Sequence, residues 1–492
     1  MPTTRRVYVK IAPALPRFVS AVLLLLIGFL LFSHLGDMFI VDYDEARHGV
    51  SAYEMLRSGD YVVSTYQGEP DLWNLKPPLS FWLISLGYRL LGYNALGLRF
   101  FSALAALAAA LLLWHWTTHS VGHWAGVFVL LCIAANATVY GLHFARFGDA
   151  DSQYQFFFTV AMLCLLRSDA DVRWLYGSAF AFGFAFLEKG AHAFTIAAVC
   201  LLALLATGRF GLLGLKRLVL LVLAGLTPIL PWAISRYLRD GFTFFRAMVT
   251  TDVVARSGAA SDITGVGVGA LAYYLQDMAA NPVMLALLGI SGLCALVLCV
   301  TQTRLTRPQR NAAITAALWL AVPLLLYTLA NAKFRWYQYS YLYAAPVLTA
   351  VLLSRASGVR GWHKPLAVVM TAAVLGFGVL TVRNVQKVTH PETTHTVQAF
   401  LRDQLDRDMD AGRHAYIQYN ENQQTTWMQG GLLTALLYGD VLPLDGGVDA
   451  YLADEESAVL FVARAENQPV IDQLYETEIV RNETDKMVAF EK

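Results

Sequence analysis

The chain has 492 residues, 57% of them hydrophobic and only 15% charged. Soluble domains run closer to a quarter charged, so an ordinary water-soluble protein is excluded. The net charge of +1 hides a split: 8 Lys/Arg stand against 19 Asp/Glu from Val385 to Lys492, and 29 against 17 before it. An acidic tail of that kind would repel nucleic acid, which excludes that partner class.

Arg5, Arg6, Lys10 and Arg17 precede an apolar run from Phe18 to Leu35. The run is long for a signal sequence and no small-residue cleavage site follows it, so it is expected to stay as the first spanning helix, basic end in the cytoplasm. Apolar stretches of crossing length then recur. Eleven spans are expected, near 18–36, 98–116, 122–139, 153–167, 174–187, 191–207, 216–235, 281–300, 312–330, 339–354 and 365–382. All five cysteines (Cys132, Cys164, Cys200, Cys294, Cys299) fall inside these stretches and read as apolar packing residues.

Between the first two spans, Asp44–Leu56 has helical spacing, with Ala46, Val50, Tyr53 and Leu56 on one face and a stop at Gly59. Tyr61–Ser64 is β-prone, and Leu79–Leu91 is an aromatic-rich helix. One or two helices lying flat at the membrane interface are expected here. The expected organisation is an all-α membrane domain over 1–384 and a small, acidic α/β domain over 385–492. In the latter, 394–408 and 467–475 read as helices, 415–419 and 458–462 as strands.

Basic residues favour the cytoplasmic loops. Arg167, Arg173, Arg209, Lys216, Arg217, Arg304, Arg307, Arg310, Arg355, Arg360 and Lys364 fit that rule if the N-terminus is inside and the C-terminal domain outside. Lys76, Arg146, Lys189, Lys333 and Arg335 break it, all on the outer face. Such a set suits an anion held there.

The acids keep them company. Asp42-Tyr43-Asp44-Glu45-Ala46-Arg47 would suit deprotonation of an acceptor at a partly shielded site; it would equally suit capping of the helix that starts there. The prolines of Lys76-Pro77-Pro78 hold an ammonium at headgroup level, or a lysine merely snorkels there. Arg146-Phe147-Gly148-Asp149-Ala150-Asp151 offers either an Arg–Asp lock or a second acid facing Asp44. Glu188-Lys189-Gly190 and Lys333-Phe334-Arg335-Trp336-Tyr337 add cations at outer helix ends. The loop from Tyr237 to Asn281, with Arg246, Asp252 and Arg256 among glycines, is long enough for a lid. There is no phosphate-binding glycine loop, HExxH or zinc-finger spacing. No cofactor is indicated, and the question of a divalent metal stays open.

The segment DYDEARHGVSAYEMLRSGDYVV followed by LKPPLSFWL resembles the dolichyl-phosphate-mannose protein mannosyltransferase-like superfamily of GT-C glycosyltransferases, above all its bacterial aminoarabinose transferase-like branch. Weaker likenesses are ARFGDADSQYQFFF, FLEKG, PWAISRYLRDGFTFFRAMVTTDVVAR and NAKFRWYQYSYLYAAP, so the resemblance runs from Asp42 to about Leu353. It departs at Leu75, His48 and Ala191, where the family commonly has Glu, Tyr and Pro.

The resemblance implies an inverting glycosyltransferase in the cell (inner) membrane. Its donor would be a polyprenyl-phosphate-linked sugar and its acceptor an extracytoplasmic lipid A, glycan or protein. It further implies Asp44 as catalytic acid with Glu45 beside it, Asp151 as the second acidic position, and Arg47, Lys76, Lys189, Lys333 and Tyr337 around the lipid phosphate. Two alternatives stand beside it, a lipid-linked sugar flippase or transporter, and a glycan polymerase or ligase using a pyrophosphate-linked donor.

Overall fold

The computed structural model describes residues 14–251, 270–330, 333–391, 395–419 and 427–492. Its membrane part is built from α1 (Ala14–Phe32), α2 (Asp44–Ser58), α3 (Leu79–Leu91), α4 (Ala95–Ser120), α5 (His123–Ala135), α6 (Asp151–Arg167), α7 (Trp174–Lys189) and α8 (Phe194–Ala206). It continues with α9 (Leu215–Asp240), α10 (Thr243–Met248), α11 (Ala270–Ala280), α12 (Pro282–Val300), α13 (Arg307–Leu329), α14 (Tyr341–Ala356) and α15 (His363–Thr389).

A described helix falls on each of the eleven expected spans. Among the described residues, seven stretches are long and apolar enough to cross a membrane: α1, α4, α9, α12, α13, α15, and α7 with α8, which a single 3-10 turn at Gly190–Ala193 joins. The others, α5, α6 and α14, have 13 to 17 residues and are mostly buried among their neighbours. The chain is a multi-pass membrane protein. The segment expected as a long irregular lid is helical at both described ends, as α10 and α11, while Asp252 and Arg256 lie outside the described residues.

The helix α15 continues past the expected boundary at 384 and ends at Thr389. The α/β unit beyond it contains α16 (Thr396–Gln404), α17 (Arg407–Asp410), α18 (Gln429–Gly439), α19 (Gly447–Ala453) and α20 (Gln468–Thr477). A two-residue hairpin, β1 (Thr65–Tyr66) with β2 (Glu69–Pro70), sits earlier in the chain, just beyond the expected β-prone stretch. The unit's own strands are β3 (His414–Gln418), β4 (Leu442–Pro443), β5 (Ala458–Ala463), β6 (Ile479–Glu483) and β7 (Met487–Glu491). They form one sheet in the order β4-β3-β5-β7-β6, parallel across the first three and antiparallel across the last three.

Side-chain alternation divides this sheet into two faces. Tyr416, Leu460, Val462, Val488 and Phe490 pack against α19 and α20. Ala415, Ile417, Val459, Phe461, Met487 and Ala489 face α16 and α18, in a cluster that runs on into Ala46, Val50 and Tyr53 of α2 and Phe81, Ile84 and Tyr88 of α3. The α/β unit and the first loop therefore share one core. Of the one or two helices expected to lie flat at the membrane interface, α2 turns its apolar face to protein. The α2 face that would meet lipid is covered by α18 instead, and Ala46, Val50 and Ala52 are fully buried.

Candidate active site

The connector between α1 and α2 is fixed by two buried arginines. Arg146 donates to the carbonyls of Leu30, Leu31 and Ser33 at 2.8–3.2 Å, closing the open carbonyl end of α1, where a cation is favoured by the helix dipole. It makes no Arg–Asp lock within its own turn. Arg99 donates to the carbonyls of Leu35, Met38 and Phe39 and forks onto Glu45 at 2.7 and 2.9 Å. The Glu45 carboxylate also accepts the amides of Val41 and Gly148. Both side chains of this pair are 0% exposed. Expected as a second catalytic acid, Glu45 is thus turned inward and every one of its bonds goes to the frame.

One residue away, Asp44 points the other way. No side chain caps α2; its N-cap is Tyr43, at φ 67° and ψ −115°, a strained position for a residue with a Cβ. The Asp44 carboxylate instead meets the Lys76 ammonium at 3.2 Å, and these side chains keep 25% and 19% exposure. Lys76 stands in the irregular stretch before α3, where Pro77 disfavours helix through it. Leu75 beside it, where the family commonly has Glu, is buried among Leu187, Ile229, Trp232, Phe244 and Met248.

A second layer completes the cluster. His143 Nδ1 lies 2.8 Å from Asp149 Oδ2 and 3.8 Å from Asp44 Oδ2, and its ring stacks on Trp336 at 3.7 Å. Asp149 also accepts the amide of Asp151 at 3.0 Å. Asp151 is ion-paired with Lys189, whose ammonium lies 5.1 Å from the centre of the Tyr337 ring. Gly190, at φ 55°, ends α7 directly after Lys189 and so aims it. Glu188 is fully buried nearby, and neither of its carboxylate oxygens has a hydrogen-bond partner among the described residues.

The electrostatics follow from this crowding. Burial pushes the Asp44 carboxyl up, but Lys76 above all, with the two nearby histidines, holds it well below the ordinary carboxylate range. Burial pulls the Lys76 ammonium down, yet Asp44, Asp149 and Asp151 raise it overall. His143 is likewise raised, burial being outweighed by Asp149. His48, entirely buried under Asp44 and stacked on Phe81, is pushed down to about 4 by burial and by Lys76. At neutral pH Asp44 and Lys76 are therefore an ionised pair resting on the neutral imidazole of His48.

The structure thus brings Asp44, Lys76, Asp151, Lys189 and Tyr337 together. Arg47 stands apart: Asp71 engages it through two bonds of 2.8 and 2.9 Å, and its guanidinium lies over Tyr66 and Trp73. Lys333 bends back onto the carbonyl of Ala330. Sequence reasoning missed His143 and Asp149 as members, and Arg99 and Asp71 entirely. His143 lies six residues before Asp149, with no spacing rule to connect them, and only its φ of 56° swings it into place. The ligand atoms of His143, Asp149 and Asp151 lie within 4.8 Å of one another, a set that could hold a divalent cation. Two of its charges already have partners in His143 and Lys189.

The dolichyl-phosphate-mannose-protein mannosyltransferase family matches residues 75–234. A protein of Aquifex aeolicus is 31% identical over 133 residues, 27% of this chain and 26% of that one. The undecaprenyl phosphate-alpha-4-amino-4-deoxy-L-arabinose arabinosyl transferase 1 of Pseudomonas fluorescens is 26% identical over 331 residues, 65% of this chain. The match spans only 54% of that enzyme's length. The crystal structure of ArnT from Cupriavidus metallidurans bound to undecaprenyl phosphate superposes over 98% of both chains, with a TM-score of 0.72 at 17% identity. The apo structure of the same protein gives 0.67 at 16% identity, over 96% of this chain and 97% of that one. The chain therefore shares the fold of the ArnT structures, and its residues 75–234 are similar to the dolichyl-phosphate-mannose-protein mannosyltransferase family.

Proposed function

We propose that the chain is a membrane glycosyltransferase that moves a sugar from a polyprenyl-phosphate donor to an acceptor outside the cytoplasm. The observation that carries this reading is the partly open Asp44–Lys76 pair at 3.2 Å, set on a frame in which the neighbouring Glu45 is fully committed. A base and a phosphate-binding cation in contact are what such a transfer needs. The overall likeness to a protein crystallised with undecaprenyl phosphate supports the same donor class.

In this reading the bond between the anomeric carbon and the phosphate oxygen breaks, and the polyprenyl phosphate leaves with that electron pair. Lys76, with Lys189 behind it, stabilises the charge that builds on the phosphate. The acceptor attacks from the opposite side, inverting the anomeric centre, and gives its proton to Asp44. A bound phosphate draws the Lys76 ammonium towards itself. That loosens the grip which keeps Asp44 acidic, so the base strengthens when the donor is in place. Asp151 and His143 hold Lys189 and Asp149 in register, and Tyr337 walls the cation. Arg47 and Lys333 serve the donor only if they leave the partners they hold here. The rim faces away from the cytoplasm in an inner membrane, in keeping with the basic loops at the other ends of the helices.

The test is purified protein supplied with a polyprenyl-phosphate monosaccharide labelled in the sugar, together with extracted envelope lipid as acceptor. Labelled acceptor and free lipid phosphate in equal amounts are expected. Movement of intact donor across a vesicle without cleavage would replace this reading with a flippase.

A further inference from the structure

The backbone that delivers Asp44 is gripped by the C-terminal unit as well as by Arg99. Gln398 of α16 brackets Ile40, accepting its amide at 2.8 Å and donating to its carbonyl at 2.7 Å. Gln429 accepts the amide of Tyr43 at 2.7 Å, and the amide of Gly430 donates to the Asp42 carboxylate at 2.6 Å. These partners lie 358 to 388 residues from the first loop in sequence. Tyr43 is 69% exposed, so no packing of its own side chain holds its unfavourable backbone angle. The bond to Gln429 does.

Gly430 shows how close the grip is. A Cβ there would stand 2.5 Å from the Gln398 side-chain nitrogen and 2.6 Å from the Ile40 carbonyl oxygen. Both atoms belong to the seam, and neither to the interior of the soluble unit. Next to it, a Cβ on Gly431 would meet only the Tyr419 hydroxyl at 3.3 Å and Leu401 at 3.9 Å.

We infer that the soluble C-terminal unit acts as a positioning element for the active site: Gln398, Gln429 and Gly430 fix residues 40–43 and thereby the placing of Asp44. The inference rests on the transferase reading for its consequence, though not for its geometry. Among the described residues the unit makes no hydrogen bond or ion pair to Asp44 or Lys76. It sets the backbone from which the base is presented, so its loss misplaces Asp44 without removing a charge.

The experiment compares Gly430→Ala with Gly431→Ala in the full-length protein in lipid nanodiscs. Hydrogen exchange over 38–46 is followed together with transfer kinetics and thermal melting. Gly430→Ala is expected to speed exchange of the Ile40 and Tyr43 amides. It should also lower kcat roughly tenfold to a hundredfold, the scale of a small misplacement of a catalytic group, with the donor KM and the melting temperature held. Gly431→Ala should leave all four unchanged. Gln398→Ala, which removes both bonds to Ile40, should repeat the Gly430→Ala pattern. Unaltered exchange in both Gly430→Ala and Gln398→Ala overturns the grip, and faster exchange with unaltered kcat overturns the positioning role. Should the unaltered protein transfer no sugar, the transferase reading falls while the exchange data still decide whether the grip exists.

Discussion

Two adjacent acids divide the first loop into two regions with opposite electrostatics. Beneath α2, Glu45 and Arg99 are sealed from solvent, and each of their polar atoms is spent on the frame. Above it, Asp44 and Lys76 stay partly open and are backed by further charges that balance in pairs. A fully satisfied buried pair has nothing left to offer a ligand, whereas a half-open pair can exchange one partner for another. The difference teaches that charge near a membrane rim is not itself a sign of chemistry. What marks the site is a charge whose partner can be displaced.

That contrast is broken most directly at Asp44. Asp44→Asn is expected to lower transfer by about 10²–10⁴-fold, the usual worth of a general base. Lys76 keeps the fields of Asp149 and Asp151, so the protein should fold and melt as before. Wild-type turnover in this variant would remove Asp44 from the mechanism. The reverse pattern is expected at Glu45. Glu45→Ala strands Arg99 without its carboxylate and should cost about 3–5 kcal/mol of stability. A scan of detergent-solubilised protein would show it as a sharply lowered melting temperature or a loss of folded yield. If Glu45→Ala is as stable as the parent but inactive, the division drawn above is wrong.

A smaller effect separates Arg47 from Lys76. Arg47→Lys gives up the two-pronged bond to Asp71 and the stacking on Tyr66 and Trp73, which only a planar guanidinium makes. About 1–2 kcal/mol of stability should be lost, with the donor KM little changed. A large rise in donor KM without destabilisation would show instead that Arg47 binds the phosphate.

Much of this was legible in the sequence, and the legible part is instructive. Apolar runs, the helix that starts at Asp44 and stops before Gly59, and four elements of the α/β unit follow from local pattern: periodicity, a glycine stop, short apolar β-prone runs. The Lys76 and Lys189 positions stood out because they oppose the charge rule. What could not be read are the pairings that depend on how distant elements meet. Nothing near Glu45 announces Arg99, 54 residues on, and nothing near Ile40 announces Gln398. The α2 helix looks amphipathic enough for a membrane surface. Only the sheet's second apolar face, packed through α18, shows that its partner is protein. His143 and Asp149 escaped for the same reason: a left-handed residue joins them, and sequence carries no rule for it at histidine.

The finest test of the contrast is its pH dependence. His143 has its pKa raised above the ordinary 6.5, burial being overcome by Asp149, so the folded protein holds that proton more tightly than the unfolded chain does. Its contribution to stability is complete below the unfolded value and is lost as pH rises through the folded one. Asp149 works in the other direction. Its pKa is lowered, with burial overcome by His143 and Lys76, so its contribution is present above the unfolded carboxylate value of about 3.9 and fades only as pH falls through the depressed one. Between these limits the melting temperature should be nearly flat, and it should begin to decline as pH rises past the unfolded histidine value of about 6.5. His143→Gln keeps a hydrogen-bonding side chain but cannot carry the charge. It should lower stability by about 1.5–3 kcal/mol at acid pH, the worth of a charged hydrogen bond, and by less as the parent itself loses the proton. The two melting curves should therefore converge with rising pH. Parallel curves would mean that His143 is neutral in the folded protein, and that the rim is held by its lysines alone.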